Sequence, residues 1–294
     1  DKSYSSFSLT SQWQSNMSQE QYTQKLSTIS SYLQAGDCYQ INLAQRFSAN
    51  YTGDEWQAYQ RLRTANQAPF SAFIRLTDNV IMSISPERFL SVKDEVVQTK
   101  PIKGTRPRSD NAIEDQQQID SLLSAEKDRA ENVMIVDLLR NDLSKHCQPG
   151  SVKVPELFKL ESFAAVHHLV STVTGKLKVT SSALDLVQGA FPGGSITGAP
   201  KVRAMQRIDE LEPKNRNIYC GSIGYLGVLG DMDTNICIRT LLCEQSSNQQ
   251  TIHCWAGGGI VLDSNAKDEY QESLDKVSKI LPILSLNSTS SLLG

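Results

Sequence analysis

Four cations, Lys100, Lys103, Arg106 and Arg108, crowd the stretch QTKPIKGTRPRSD around two prolines and a glycine. A lysine amine attacks carbon only when it is neutral, and burial or neighbouring positive charge pushes it that way. Glu87, in ISPERF, would suit a general acid if a dry pocket raised its pKa. On chemistry alone, however, an aperiodic run of cations reads as a solvated basic turn.

Two acidic pairs offer different chemistry. Asp128 and Glu131 lie three apart in EKDRAEN, as do Glu269 and Glu272 in KDEYQES. That spacing puts each pair on one helical face. Magnesium takes one or two protein carboxylates and leaves its other positions to water and an anionic substrate. A solvated helix face is the plainer reading of any one such pair.

Three further features could receive an anion. GGSITGAPKVRAM is a glycine-rich turn feeding a helix at Pro200, with Lys201 and Arg203 in its first turn. There cations oppose the helix dipole unless an anion sits nearby. The pattern is not a Walker A loop, because Gly193 and Gly198 are followed by Ala199, Pro200, Lys201 and Val202. Gly257–Gly259, in CWAGGGIV, would let a carboxylate approach backbone N–H groups, although a bulge or bend is as common a use. Arg239 stands among apolar neighbours in NICIRTLL, as a mid-strand cation that snorkels or binds an anion. His168, in VHHLVS, reads as a sheet-face histidine.

These residues need elements to hold them. Ser18 and Gln21 form a capping-box pattern, followed by Tyr22, Leu26, Ile29 and Leu33 at helical spacing and by Gly36. Short β-like runs fill 38–97, a long helix is expected over 113–143, and strand-like pieces fill 151–179. Helices flank the glycine-rich turn over 182–212. Three strands follow, the first two joined at GDMD, and then a helix carrying Tyr270, Leu274, Val277 and Leu281. Strand clusters alternate with long helices but without a βαβ rhythm, which predicts an α+β fold of mostly antiparallel sheets with helices outside. Residues 1–16 read as a polar tail or linker, 17–284 as the folded domain that would carry any chemistry and 285–294 as a C-terminal tail.

Composition narrows the function. The 294 residues carry a formal net charge of −3. That disfavours a nucleic-acid partner, whose footprint is usually strongly basic. Six cysteines show no C-x-x-C pair, as expected of reduced thiols in a cytoplasmic protein. No signal peptide or membrane-length apolar run is visible.

The ordered set GDCYQINLAQRF, SPERF, PIKGTRPR, EKDRAENVMIVDLLRNDL, VHHLVSTVTG, FPGGSITGAPKVRAM, IYCGSIGYLG and WAGGGIVLDS resembles the chorismate-utilising enzymes. The resemblance extends from about Asn16 to Ile283. It implies two large sheets packed face to face with helices outside. Anthranilate synthases typically read P-I-A-G-T where this chain reads PIKGT. Lysine there marks the subgroup that aminates chorismate at C4 on the 4-aminobenzoate and folate route. The resemblance implies that Lys103 attacks C2 of chorismate and that Glu87 acts as the acid. It implies Mg²⁺ held directly by Glu131 and Glu272, with Asp128 and Glu269 acting through water. It implies substrate contacts from His168, Ser195, Tyr219, Arg239, Gly257, Gly259 and Lys276. Ser195 stands where relatives often have threonine. No glutaminase region is visible, so ammonia is expected from a separate glutamine amidotransferase subunit. Family members carry a further stretch before the equivalent of Asp1, so a catalytic portion or fragment is expected. The alternatives are an anthranilate synthase component, or an inactive module that binds chorismate or tryptophan.

Overall fold

The computed structural model describes residues 5–163, 166–246 and 249–285. The chain gathers into two compact units. The first is built from the chain up to Pro86, from Ile196–Gly221 and from Cys237 onward. Its antiparallel sheet of eight strands runs in the order Ser8–Leu9, Gln40–Thr52, Gln250–Ile260, Thr240–Gln245, Asn79–Ser85, Phe70–Arg75. Gln14–Ser15 and Gly198–Ala199 also pair with Gln40–Thr52.

Alternation organises this sheet. Ile41, Leu43, Phe47, Ala49 and Tyr51 recur at odd positions of the central strand and are all buried, as a period of two demands. The helix Gln19–Gln34 begins at Ser18 with the expected capping box and buries Tyr22, Leu26, Ile29 and Leu33. Each such aliphatic side chain contributes about 1.5–3 kcal/mol on burial. Ala204, Ile208 and Leu211, from the helix Lys201–Leu211, join the same cluster.

The second unit comprises Glu87–Ser195 and Ser222–Ile236. Its antiparallel sheet of seven strands runs Gly224–Leu226, Met232–Asn235, Arg88–Lys93, Val96–Thr99, Val166–Lys176, Ile102–Pro107, with Lys153–Ser162 also paired to Val166–Lys176. The helices Ala112–Leu123, Glu126–Ser144 and Ala183–Ala190 complete it.

Several expectations need correction. The opening stretch is not a tail where it is described: Phe7 and Leu9 are buried in the core, and Ser8–Leu9 and Gln14–Ser15 pair with the central strand. Two well-spaced apolar residues outweigh the polar composition around them. Residues 1–4 and most of the expected C-terminal tail, 286–294, lie outside the described residues. The long helix over 113–143 breaks at Ser124, whose hydroxyl donates to Asp120 O at 2.7 Å, and at the extended Ala125. The last helix stops at Asp275, and Leu281–Leu284 forms a separate short turn around Pro282. Arg239 is not mid-strand: it lies between Met232–Asn235 and Thr240–Gln245, with φ of 48°. No helix among the described residues is long and apolar enough to cross a membrane.

All six cysteines are free and buried. Burial pushes the Cys147 and Cys220 thiols up to about 11, and those of Cys237 and Cys254 up to about 12. Thiols held so far from ionisation are inert nucleophiles.

Candidate active site

The basic stretch around Lys103 is not a free turn. Pro101 separates Val96–Thr99 from Ile102–Pro107, and both strands pair with Val166–Lys176. Ile102 lies opposite Val170, and Thr105 opposite His168, so Lys103 and Gly104 together face Leu169 alone. The extra residue is a β-bulge, with Gly104 supplying φ of 85°. A bulge bends the strand locally and re-aims the side chain next to it, here Lys103.

Lys103 Nζ lies 3.8 Å from Glu131 Oε2, with both side chains 14% exposed. The flanking cations are each matched by a carboxylate: Lys100 by Glu161 at 2.5 Å, Arg106 by Asp128 at 3.4 Å, and Arg108 by Asp115 at 3.1 Å. None therefore stands as an uncompensated positive charge beside the amine. Asp115 is held at about 2, first by the Ser109 backbone N–H, then by His167 and Arg108. The His168 ring is buried and its Nδ1 shares a hydrogen bond with Thr105 Oγ1 at 2.9 Å, which ties it to the lysine strand. Glu87 is buried and accepts from Ser195 Oγ at 3.1 Å. Two expected site residues from distant parts of the sequence are thereby joined.

In the other unit, Gly257–Gly259 lies inside a strand in unbroken register with Gln40–Thr52, not at a bulge. The glycines are needed for space. A Cβ at Gly258 would stand 3.2 Å from Glu269 Oε2 and 3.3 Å from Glu272 Oε1, so both carboxylates converge on the position left open. Glu269 is 2% exposed and accepts from Ser264 Oγ at 2.6 Å. Lys276 Nζ pairs with Glu272 at 2.6 Å and donates to Gly257 O at 2.8 Å. Tyr219 is buried and stacks on Trp255, with ring centroids 6.4 Å apart and planes 9° apart. Burial holds its hydroxyl far above the usual tyrosine range.

The four acidic residues fall two to each unit. Each pair is a hard oxygen donor set that suits magnesium. A side chain at Gly258 would crowd the Glu269 and Glu272 carboxylates. Within either unit, no three potential ligands stand together among the described residues.

Two residues of this region carry no site signal in the sequence: Tyr22 shows only its helical spacing, and Gln40 only its place within GDCYQINLAQRF. Gln40 is fully buried with neither end of its amide hydrogen-bonded, and a Cβ on Gly259 would fall 1.9 Å from its Nε2. The Tyr22 hydroxyl is likewise buried without a partner; burial, then Glu269 and Glu272, push its pKa up. Unpaired buried polar atoms are uncommon, and Arg46 Nε, Asn132 Nδ2 and Ser222 Oγ are the others among the described residues.

The family model described as chorismate binding enzyme matches residues 2–282. The aminodeoxychorismate synthase component 1 of Escherichia coli is 60% identical over 275 residues, covering 94% of this chain and 60% of that protein. The Salmonella typhimurium protein of the same name is 58% identical over the same shares. The chain thus spans 60% of the length of these relatives. The crystal structure of anthranilate synthase component I from Streptococcus pneumoniae superposes with a TM-score of 0.82 at 38% identity, covering 93% of this chain and 60% of that one. With a match running through both units and nearly every element described above, the chain belongs to the chorismate binding enzyme family.

Proposed function

We propose that the chain is the chorismate-aminating portion of an aminodeoxychorismate synthase component 1. The observation that carries this reading is Lys103, set on a glycine bulge beside Glu131, at the position where the C2-aminating relatives carry alanine. In this reading the Lys103 amine forms a bond to C2 of chorismate, both ring double bonds shift by one position toward C4, and the C4 hydroxyl leaves as water. Hydroxide is a poor leaving group, so Glu87, held by Ser195, delivers the proton. Ammonia then bonds to C4, the Lys103 nitrogen leaves C2, and 4-amino-4-deoxychorismate is released.

Tyr219 and Arg239 bind the enolpyruvyl carboxylate, and the amides near Gly257 and Gly259, with His168 and Lys276, complete the substrate contacts. Mg²⁺ is the proposed cofactor, with Glu131 and Glu272 as direct ligands and Asp128 and Glu269 acting through water. When bound, it neutralises the C1 carboxylate of chorismate. Ammonia is supplied by a separate glutamine amidotransferase subunit. A cytoplasmic location is consistent with the six free thiols.

The test is a product assay with chorismate, Mg²⁺ and an ammonium salt. The expected product yields 4-aminobenzoate on addition of the lyase, and Glu87→Gln slows its formation by about 10²-fold or more. Anthranilate fluorescence with pyruvate release would overturn the reading in favour of the C2-aminating relatives. Chorismate binding without turnover would overturn it in favour of a binding module.

A further inference from the structure

We propose that Arg216 is a positioning residue that sets the Tyr219 end of the substrate site, an inference that rests on the chorismate reading above. Arg216 precedes Tyr219 by three residues and is largely buried. Its guanidinium forms a fork with Glu212, through Nε at 2.9 Å and Nη2 at 2.6 Å. The remaining donors reach two backbone carbonyls, Ile196 O at 2.9 Å and Asn42 O at 3.2 Å. Glu212 Oε1 also accepts from the Ala44 backbone N–H at 2.9 Å. One planar group therefore ties the central strand to the end of the short 3-10 turn Gly194–Ile196.

The same group holds Tyr219. The guanidinium carbon lies 5.6 Å from the Tyr219 ring centroid, within cation–π range. The Tyr219 backbone N–H donates to Arg216 O at 2.9 Å, which closes the turn, and Trp255 stacks on the ring. Arg216 Nη1 lies 3.5 Å from Cys220 Sγ. Cys220 holds φ of 65°, a conformation that a non-glycine residue keeps only when its surroundings over-determine it. Its N–H donates to Cys237 O, and Cys237 N–H donates to Gly221 O. The chain reaches Arg239 two residues later, so the proposed carboxylate-binding pair hangs from one scaffold.

Stability alone does not account for a buried arginine here. Well-packed apolar residues often replace a buried ion pair without loss of stability. An apolar residue or a lysine could not satisfy Glu212 and both carbonyls at once, because only the arginine fork presents donors in that plane.

The experiment uses the 294-residue chain with Arg216→Lys, the double variant Glu212→Gln/Arg216→Gln, and Arg207→Gln as control. Arg207 pairs with Asp37 and Glu210 and does not touch Tyr219. Arg216→Lys is expected to raise KM for chorismate about tenfold to a hundredfold, with kcat within about threefold. It should also alter tryptophan emission, an effect absent in a Trp255→Phe background. The double variant leaves no unpaired charge, and is expected to stay folded by circular dichroism and to show the same rise. Arg207→Gln should leave KM as it is. Unchanged KM and emission in both Arg216 variants would overturn the inference, as would an equal rise with Arg207→Gln. If the unaltered chain makes another product or none, calorimetric titration with chorismate separates the two ideas. Affinity weakened tenfold by Arg216→Lys upholds the positioning role while the amination reading falls. Equal affinity, or no binding by the unaltered chain, overturns the positioning role.

Discussion

The strands that carry Lys103 and Gly257–Gly259 place functional groups by opposite means. Ile102–Pro107 is short, half-exposed and bulged, and the cations on it and at either end of it are matched one by one with carboxylates. Gln250–Ile260 is long and buried, and keeps ten consecutive pairs with its neighbour. The first strand aims a side chain by breaking register. The second makes room by omitting side chains from an intact register. The proposed nucleophile thus sits where the backbone is irregular, and room for the proposed close approach is left where it is most regular.

The largest effect should come from the irregular strand. Lys103→Ala is expected to lower amination by about 10³-fold or more while leaving the thermal transition within a degree or two. Amination that survives at the original rate would remove the lysine from the chemistry. Gly257→Ala tests the regular strand, because its Cβ would meet Leu43 O at 2.1 Å and Ala44 Cα at 2.6 Å, both backbone atoms. A destabilisation of about 2 kcal/mol is expected in urea unfolding. Gly259→Ala meets the end of the Gln40 side chain and should cost less stability, with the loss appearing in chorismate affinity.

Gly104→Ala probes the bulge. The added Cβ would lie 2.8 Å from Leu122 Cδ1 at a positive φ, so about 1 kcal/mol of stability is expected to go, with a larger loss of kcat. Loss of stability without loss of kcat would show that the bulge does not aim Lys103.

The smallest effect concerns Asp115, which matches Arg108 at the far end of the lysine strand. Its carboxyl is depressed to about 2, against about 3.9 in an unfolded chain. A depressed carboxylate contributes stability that is present above the unfolded value and is lost as pH falls through the folded one. The stability difference between the unaltered chain and Asp115→Asn should therefore be full at pH 5 and shrink as pH falls from about 4 toward about 2. A difference independent of pH would remove the charge from the account.

Much of this was legible from the residues in order. The capped helix at Ser18 and the acidic pairs on helical faces follow from local spacing, and the structure keeps them. The break at Ser124, the short pairing of Ser8–Leu9 and the bulge at Lys103 were not legible. Each depends on a partner far away in sequence: a bulge exists only relative to the strand opposite, and two buried residues in a polar stretch matter only once a core receives them. Arg239 shows the same limit, since its apolar neighbours suggested a strand interior while its backbone turns at a strand break.

By itself the sequence determined the residue types and their order: the lysine after Pro-Ile, the glycine triplet, the paired carboxylates and the motifs that place the chain in its family. Those properties are local, set by side-chain chemistry and helical or strand period. Tertiary structure alone decided that Glu87 meets Ser195, that Glu269 and Glu272 close over Gly258, and that Arg216 binds two carbonyls beside Tyr219. Hydrogen bonds and steric clearances act over a few ångströms, so they are fixed only when folding brings distant segments into contact.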